Sequence, residues 1–231
     1  MDINKIYQGD CLEIMKIFPS KSIDCVITDP PYEFISKNPT GGGFMKKENK
    51  RHLEKIRDSF GMSFRPEAFL EEIKRVLKKF NAYIFTNKSL LAFYINFAEK
   101  NKYKWDLLIW HKPNAVPVNN GHYLIDKEYI IYIKESGACF HSNLGYKRYF
   151  TIKEFPIGNK KTTHPAEKPE YLFSDIIEIS TNPNDIILDP FLGSGTIAVV
   201  VKKLGRNYIG IELDKSYIDM ANKRLAQENL F

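Results

Sequence analysis

The sequence predicts an α/β protein built on a doubly wound, mostly parallel β-sheet. Short, β-branched apolar runs such as residues 23–28 are typical of buried strands. Longer segments such as residues 66–79 carry apolar side chains at helical spacing. These strands and helices alternate along the whole chain, and no internal repeat or low-complexity tract interrupts them. Such alternation favours a parallel sheet with helices on both faces.

Each predicted element is justified by its local apolar pattern and by the turn residues that flank it. The predicted strands are residues 5–9, 23–28, 82–86, 105–110, 128–133, 185–188 and 207–211. The predicted helices are residues 12–17, 66–79, 89–100, 170–180, 194–204 and 216–228.

Composition is typical of a single globular domain. A length of 231 residues suits one α/β domain, and 43% hydrophobic residues are enough for a sizeable core. The net charge of +6 and the pI of about 9.0 are compatible with a polyanionic partner, although many unrelated proteins are as basic. We therefore expect a single domain over residues 1–231, with room for a small insertion.

The cysteines and the apolar runs limit the cellular context. Cys11, Cys25 and Cys139 form no C-x-x-C pair, which argues against a disulfide framework and against a zinc site. The first residues lack the apolar run of a signal peptide, and no stretch reaches the ~18 apolar residues of a membrane span. We expect a cytoplasmic protein with no metal and no membrane association.

The first candidate for chemistry is the tetrapeptide Asp29-Pro30-Pro31-Tyr32, which directly follows the predicted strand 23–28. Proline has no N–H to donate to a β-ladder, so the strand must end here and become a loop. Taken alone, the tetrapeptide is a moderately specific signal, because ordinary turns contain the same residues.

A second loop, residues 189–196 (Asp-Pro-Phe-Leu-Gly-Ser-Gly-Thr), lies between a predicted strand and a predicted helix. Gly193 and Gly195 allow a tight turn and a close approach to a ligand. Ala198 stands where a G-x-G-x-x-G pattern would have its third glycine, so that pattern is not met. Glu212 follows about 20 residues later, at the tip of the next strand, where a carboxylate can accept from two ribose hydroxyls. The combination predicts a nucleoside-type cofactor, and a pyrophosphate dinucleotide also fits at this point.

Two basic stretches are candidates for contacting a nucleic acid. Residues 36–62 contain three consecutive glycines and a run of lysines and arginines, without a period of burial. Residues 137–163 interleave aromatic and cationic side chains, which can stack on bases and pair with phosphates. Ordinary solvated loops have the same composition.

Together, the two loops resemble the amino-methylating DNA methyltransferases. The resemblance covers nearly the whole chain and includes Gly9-Asp10-Cys11 and His164-Pro165-x-x-Lys168-Pro169. The tetrapeptide precedes the glycine loop, which resembles the order in the β group of this family. Membership implies a seven-stranded Rossmann-like methyltransferase sheet that is circularly permuted, with strand 5–9 beside strand 207–211.

The resemblance also implies S-adenosylmethionine as cofactor and double-stranded DNA as substrate, within a restriction-modification system. It assigns catalysis to Asp29, Pro30, Pro31 and Tyr32, and it places Asp10 near the cofactor adenine. The residues it assigns to cofactor binding are Asp10, Cys11, Asp29, His164, Lys168, Asp189, Pro190, Phe191, Gly193, Ser194, Gly195, Thr196, Glu212 and Leu213. The candidate target-recognition insertions 36–62 and 137–163 are short, so a homodimer, a flexible loop or both are expected to supplement them.

These residue types suit methylation of an exocyclic amino group, whose lone pair is delocalised into the base. The Asp29 carboxylate and the Pro30 carbonyl can accept hydrogen bonds from the amine and stabilise the charge that develops on nitrogen. Tyr32 can stack on a base that has left the duplex. Methylation at cytosine C5 is excluded, because it needs a thiolate, usually in a Pro-Cys pair, and no cysteine here follows a proline.

Adenine N6 is the preferred target, because the family carries Asp at the first tetrapeptide position for adenine and Ser for cytosine. The alternatives among enzymes are cytosine N4 methylation and RNA methylation. A catalytically silent nucleic-acid-binding module is an alternative of another class. A nicotinamide-dependent oxidoreductase is disfavoured, because the glycine pattern differs and the tetrapeptide has no role in hydride transfer.

Overall fold

The computed structural model describes residues 1–31, 65–115, 121, 123–156 and 169–227, which include one eight-stranded sheet. The strands are β1 (Lys5–Gln8), β2 (Cys25–Thr28), β3 (Asn81–Thr86), β4 (Lys104–His111), β5 (Lys127–Lys134), β6 (Ile152–Glu154), β7 (Ile186–Asp189) and β8 (Asn207–Glu212). The helices are α1 (Cys11–Met15), α2 (Pro66–Val76), α3 (Lys88–Lys100), α4 (Glu170–Ser180), α5 (Thr196–Lys203) and α6 (Lys215–Gln227), and a 3-10 turn spans Tyr146–Tyr149.

The strands lie in the order β1-β8-β7-β2-β3-β5-β4-β6. β5 runs antiparallel to β3 and β4, and the other neighbouring pairs are parallel. The expectation of a mostly parallel sheet is therefore confirmed. β1 pairs with β8 from Lys5↔Ile209 to Gln8↔Glu212, so the first and last strands of the chain are neighbours, as the permuted order predicts.

The sheet has one strand more than the seven expected, and the additional strand is β6. β6 pairs in parallel with β4 at the sheet edge, with Lys153 opposite Trp110. The Lys153 side chain is buried and donates to the Arg148 carbonyl and the Asp175 carboxylate. Because two of the three residues of β6 are charged, the sequence shows neither an apolar run nor a hydrophobic alternation there.

Side chains alternate along the strands and divide the core between the two faces of the sheet. Cys25 and Ile27 pack on the face that α4 and α5 cover. Val26 packs on the opposite face with side chains of α1, α2 and α3. β2 and β3 are buried along their whole length, which explains why their sequences are continuous apolar runs rather than alternating ones.

Helix boundaries follow local chemistry. α2 begins at Pro66, where the missing N–H removes no intrahelical hydrogen bond. α3 begins after Asn87, whose side-chain oxygen accepts from the N–H groups of Ser89 and Leu90. Within the described ranges, no helix is both long enough and apolar enough to cross a bilayer.

The direction in which the chain adds strands reverses between β2 and β7. From β2 the next described strand, β3, lies on one side, whereas from β7 the next strand, β8, lies on the other. Adjacent parallel strands that diverge in this way leave a crevice at their carboxyl ends, where α/β proteins bind ligands. Asp29 and Pro190, the residues that follow these two strands, therefore border that crevice.

The two predicted recognition insertions differ in what the structure describes. The insertion 36–62 lies outside the described residues, as do residues 157–163 of the second insertion. In the described part of the second insertion, Arg148 donates to the carboxylates of Asp175 and Glu178 on α4. The Tyr149 hydroxyl donates to the His141 carbonyl. Some of the basic and aromatic side chains of this insertion therefore make contacts within the protein.

Candidate active site

The first three residues of the tetrapeptide, Asp29, Pro30 and Pro31, follow β2 directly and border the crevice. Asp29 is half-buried and Pro30 is buried. Pro30 and Pro31 have no N–H, so the backbone cannot extend the ladder, as the sequence predicted. Tyr32 lies outside the described residues, and so do His164 and Lys168.

A side-chain hydrogen bond connects the two strands that border the crevice. Thr28, the last residue of β2, donates from Oγ1 to Oδ1 of Asp189, the last residue of β7, at 2.9 Å. The Phe191 N–H donates to the same Asp189 oxygen at 3.1 Å. Thr28 and Asp189 are both buried. Asp189, a predicted cofactor ligand, thus joins the tetrapeptide strand to the glycine-loop strand, and the sequence contained no signal for Thr28.

The environment of Asp189 disfavours its charged form. Burial raises the pKa of Asp189 to about 7, although the Phe191 N–H and the Thr28 hydroxyl favour the ionised form. The negative charges of Asp29 and Glu212 raise the pKa further. Three carboxyl groups from three different strand ends therefore act on one another in this crevice.

The glycine loop adopts a conformation that favours glycine. Gly193 has φ of +53° and Gly195 has φ of +81°, in the left-handed region. Gly195 also precedes α5 directly, and a Cβ on it would lie 2.7 Å from the Ala221 Cβ of α6. The loop is therefore closely packed against α6, and this packing holds the first residue of α5 in place.

Glu212, at the carboxyl end of β8, holds the glycine loop. Its Oε2 accepts from the Gly193 N–H at 2.8 Å, and its Oε1 accepts from the Asp214 N–H at 2.9 Å. Burial raises the pKa of Glu212, and these backbone N–H groups oppose the rise. A carboxylate offers about four acceptor positions, and the Leu213 N–H also favours the ionised form, so the carboxylate keeps acceptor capacity for a ligand hydroxyl.

A small pocket opens beside Glu212 and brings together residues from both ends of the chain. It is lined by Gly9, Cys11, Pro190, Phe191, Ile211, Glu212 and Leu213. Burial raises the pKa of the Cys11 thiol to about 12, so this wall of the pocket is neutral. Asp10 lies between two lining residues, but its side chain accepts from the Leu12 and Glu13 N–H groups and caps α1.

Two of the predicted cofactor residues direct their hydroxyls toward α6. Arg224 donates to the Ser194 hydroxyl at 3.2 Å and to the Thr196 hydroxyl at 3.0 Å. Arg224 also donates to the Ser194 carbonyl at 3.0 Å. The structure thus adds Arg224 to the set of loop-holding residues. The sequence could not indicate this, because an arginine in an amphipathic helix is an ordinary surface residue.

The sequence also contained no indication of a charged pair at the carboxyl edge of the sheet. Lys112, just after β4, donates to Glu128 of β5 at 2.6 Å, and their side chains are 12% and 23% exposed. The Lys112 ammonium lies 4.7 Å from the centre of the Trp110 ring. β4 is parallel to the other strands of the crevice, so this pair lies at the carboxyl edge where Asp29 lies.

Tyr94 of α3 is a further buried polar group near the tetrapeptide. Its side chain is fully buried, and its hydroxyl has no hydrogen-bond partner among the described residues. Burial and the negative charge of Asp29 both raise the pKa of Tyr94. Sequence periodicity assigned the aromatic residues of this helix to the core, and the structure shows that this one also adjoins the crevice.

These features fit a nucleoside-type ligand. The Gly193 turn, the pocket beside Phe191 and the spare acceptor positions of Glu212 provide an apolar wall and a site for ribose hydroxyls. Among the described residues, no group of three or more histidine, cysteine or acidic side chains is placed to hold a metal ion. The fold and the crevice define an α/β enzyme of the class that binds a nucleoside cofactor at a glycine loop.

The chain belongs to the DNA methylase family, the amino-methylating DNA methyltransferases, whose model matches residues 23–223. It is 31% identical to the type II methyltransferase M.HinfI of Haemophilus influenzae, over 97% of this chain and 69% of the relative. It is 32% identical to the type II methyltransferase M2.LlaDCHI of Lactococcus lactis subsp. cremoris, over 95% of this chain and 88% of the relative.

Solved structures show the same architecture. The crystal structure of M1.HpyAVI is 29% identical with a TM-score of 0.70, covering 98% of this chain and 99% of that one. A complex of M1.HpyAVI with S-adenosylmethionine matches equally well, with a TM-score of 0.70 over 96% of this chain and 99% of that one. The cytosine-N4-specific PvuII DNA methyltransferase has a TM-score of 0.69 at 18% identity, over 100% of this chain and 89% of that one. At that identity the likeness concerns the fold alone.

Proposed function

We propose that the protein is a DNA methyltransferase that transfers a methyl group from S-adenosylmethionine to adenine N6, within a restriction-modification system. The observation that carries the proposal is the placement of Asp29 and the glycine loop on the two neighbouring strands of one crevice. A donor and an acceptor bound on the two sides of such a crevice would meet at its centre. The type II methyltransferase relatives support the restriction-modification setting.

Cofactor binding is assigned to the β7–β8 side of the crevice. Glu212 would accept from ribose hydroxyls with the acceptor positions that Gly193 and Asp214 leave open. Phe191 and Leu213 would form the apolar wall around the base, together with the neutral Cys11 thiol. The family and the M1.HpyAVI complex support S-adenosylmethionine, which supplies an activated methyl group on a sulfonium when bound. The Glu212 carboxylate beside the pocket has the opposite sign to that positive charge.

Catalysis is assigned to the β2 side. The Asp29 carboxylate and the Pro30 carbonyl would accept hydrogen bonds from the amino group of the base. These two acceptors draw the nitrogen toward tetrahedral geometry and stabilise the positive charge that develops on it. Both groups are held by the end of a strand that is buried on both faces, so they need little reorganisation during the reaction. Much of the rate would then come from positioning, without a covalent enzyme intermediate.

The choice of adenine N6 over cytosine N4 rests on Asp29. The amino-methylating resemblance associates Asp at this position with adenine and Ser with cytosine. The matching family covers both targets by its description, so cytosine N4 is the second candidate. Both targets are aromatic exocyclic amines, and the same two acceptors would serve either.

Duplex DNA is the proposed partner. Tyr123 is 98% exposed and Ile125 is 77% exposed, in the segment that enters β5 at the carboxyl edge of the sheet. Lys127 follows them, and Lys147 is exposed on the described part of the second insertion. The exposed aromatic, apolar and cationic groups of residues 123–127 lie at this edge and are suited to a flipped or distorted duplex. Tyr32 and the insertion 36–62, which the sequence also suggests for DNA contact, lie outside the described residues.

The test is to identify the methylated nucleoside. The protein and methyl-labelled S-adenosylmethionine are incubated in three separate reactions, with duplex DNA, with single-stranded DNA and with RNA. Each nucleic acid is then digested to nucleosides and chromatographed. We expect label in N6-methyladenine from duplex DNA. Label only in 4-methylcytosine would assign the second candidate, and label only from RNA would contradict the DNA assignment. Binding of cofactor and DNA without transfer would indicate a silent binding module.

A further inference from the structure

The Thr28–Asp189 hydrogen bond lies where the backbone can no longer connect the two halves of the crevice. β2 and β7 pair at Cys25↔Ile187 and Val26↔Leu188. Continued in register, Ile27 would lie opposite Asp189, and Thr28 would lie opposite Pro190, which has no N–H. The ladder therefore ends, and the strands separate toward the ligand sites. The bond from Thr28 Oγ1 to Asp189 Oδ1 spans this point at 2.9 Å.

Each end of this bond adjoins one half of the site. Thr28 immediately precedes Asp29, so the orientation of its side chain is coupled to the backbone that presents the catalytic carboxylate. Asp189 precedes Pro190, and its Oδ1 also accepts from the Phe191 N–H at the start of the glycine loop. Both side chains are buried, so water does not replace either partner readily. The bond is thus a direct mechanical link between the two loops.

We propose that Thr28 is a positioning residue for methyl transfer, whose hydroxyl couples the tetrapeptide to the glycine loop through Asp189. This inference rests on the proposed function of the crevice. Thr28 acts through its neighbours and does not touch the reacting atoms. Without the bond, β2 and β7 keep their backbone pairing, but the two loops beyond them are no longer held in a fixed relative position. A misplacement of about 1 Å between reacting groups can lower a rate about 100-fold.

The Thr28–Asp189 hydrogen bond depends on pH through the protonation of Asp189. The Thr28 hydroxyl and the Phe191 N–H stabilise the ionised form of Asp189, whereas burial, Asp29 and Glu212 favour its protonated form. The pKa of Asp189 is about 7, so the strength of the link changes across neutral pH. Removing the Thr28 hydroxyl removes one stabilising donor, so the pKa of Asp189 must rise further. A merely structural threonine would not shift a kinetic pH profile in this way.

The test uses the full-length protein with Thr28→Val, which keeps the shape of the side chain and removes the hydroxyl. Thr28→Ser is the matched control, because it keeps the hydroxyl. We measure kcat for methyl transfer to DNA from about pH 6 to about pH 9, the Kd for S-adenosylhomocysteine by calorimetry, and thermal unfolding. We expect Thr28→Val to lower kcat at least about tenfold. Its kinetic midpoint should move to higher pH, and its cofactor Kd should stay within about threefold of the wild type. Thr28→Ser should recover most of the rate.

Two results would overturn the inference. One is a Thr28→Val rate within about twofold of the wild type across the pH range. The other is a rate loss without a pH shift that follows a matching loss of cofactor binding or thermal stability. If Thr28→Val does not fold, Asp189→Asn tests the same link. The inference then requires that the kinetic limb near neutral pH disappears, and a retained limb contradicts it. Failure of the proposed function is separate, because the wild type itself would then transfer no methyl group.

Discussion

Three carboxyl groups in the crevice have different environments and therefore different tasks. Asp29 is half-buried after the end of β2, on the side of the crevice that we propose contacts the substrate amine. Glu212 is stabilised by backbone N–H groups of the glycine loop. Asp189 is buried and accepts from Thr28 and Phe191. Environments that separate titratable groups in this way usually mark a functional site.

Glu212→Gln is expected to weaken binding of S-adenosylhomocysteine about tenfold or more, because it replaces one acceptor oxygen with a donor and removes the charge. The affinity for duplex DNA should change less than about threefold. Calorimetry measures the first quantity and a filter-binding assay measures the second. Glu178→Gln, which removes a charge far from the glycine loop on α4, is the matched control. An unchanged cofactor Kd in Glu212→Gln would count against the ribose role.

Asp189 makes the stability of the fold depend on pH. Its pKa is about 7 in the folded protein and near 3.8 in the unfolded chain, so the folded state binds the proton more tightly. The stabilisation from protonated Asp189 is complete below about pH 4 and is lost as the pH rises through about 7. Relative to Asp189→Asn, the wild type should lose about 1.4 kcal/mol of unfolding free energy per pH unit within this window. Urea unfolding at several pH values measures the difference, and a constant difference would contradict the assignment.

Tyr94→Phe is expected to leave the protein as stable as the wild type, or more stable by about 1 kcal/mol. The substitution removes a buried hydroxyl that has no partner among the described residues and keeps the ring in the core. Chemical denaturation measures the change, and Tyr103→Phe is a control on a less buried tyrosine that follows the same helix. A loss of more than about 1 kcal/mol would show that the Tyr94 hydroxyl forms a stabilising hydrogen bond.

At the scale of elements, the glycine loop is set by close packing as well as by backbone conformation. Gly195→Ala places a side chain at φ of +81° and 2.7 Å from the Ala221 Cβ. Gly205→Ala is a matched control, because Gly205 has φ of +70° but nothing within 4 Å of the added Cβ. We expect Gly195→Ala to lower the free energy of unfolding by about 1–3 kcal/mol more than Gly205→Ala. Equal losses would show that α6 moves aside without penalty.

The sequence predicted most elements to within one or two residues, because their apolar periods are strong. The largest shift is at the end of α2, which stops at Val76 rather than at residue 79. α5 also starts later than predicted, at Thr196 rather than at residue 194. The left-handed Gly195 precedes it, and a glycine pattern alone does not reveal which glycine ends the turn. β6 was missed because a buried lysine occupies its inward position. Periodicity detects apolar burial, so it misses an element whose buried charge is satisfied by ion pairs.

From the sequence, the candidate active site could be predicted only as two separate loops, the tetrapeptide and residues 189–196. Motif spacing indicated Asp29 and the residues of 189–196, but not the contacts that join them. Thr28, Lys112 and Arg224 were missed because each contribution depends on a partner distant in sequence. Thr28, for example, bonds to a residue 161 positions away. Asp10 caps α1 and Arg148 pairs with α4, and the sequence indicated neither contact.

At the scale of the whole molecule, the strand order brings together chain segments that are far apart in sequence. β2 and β7 are neighbours, and β1 and β8 close the other side of the cofactor pocket. The assembly state is not fixed by this arrangement, and a homodimer stays a prediction.

The net charge of +6 and the exposed cationic groups predict that DNA affinity is sensitive to salt. Raising salt from about 50 mM to about 200 mM should weaken duplex binding about tenfold or more, because each neutralised phosphate releases counterions. Fluorescence anisotropy with a labelled duplex measures this slope, and Lys147→Ala should reduce it if that exposed residue contacts a phosphate. A duplex affinity independent of salt would contradict a phosphate-contacting surface.

The most direct test of the central claim is single-turnover methyl transfer by Asp29→Ala with cofactor at saturation. The account places Asp29 on the catalytic side of the crevice and Glu212 on the cofactor side. It therefore predicts that Asp29→Ala folds, largely keeps its affinity for S-adenosylhomocysteine and transfers no measurable methyl group to DNA. Asp2→Ala, an exposed acid near the N-terminus, should transfer at the wild-type rate. Transfer by Asp29→Ala at a rate near that of the wild type, or loss of cofactor binding in a folded protein, would contradict it.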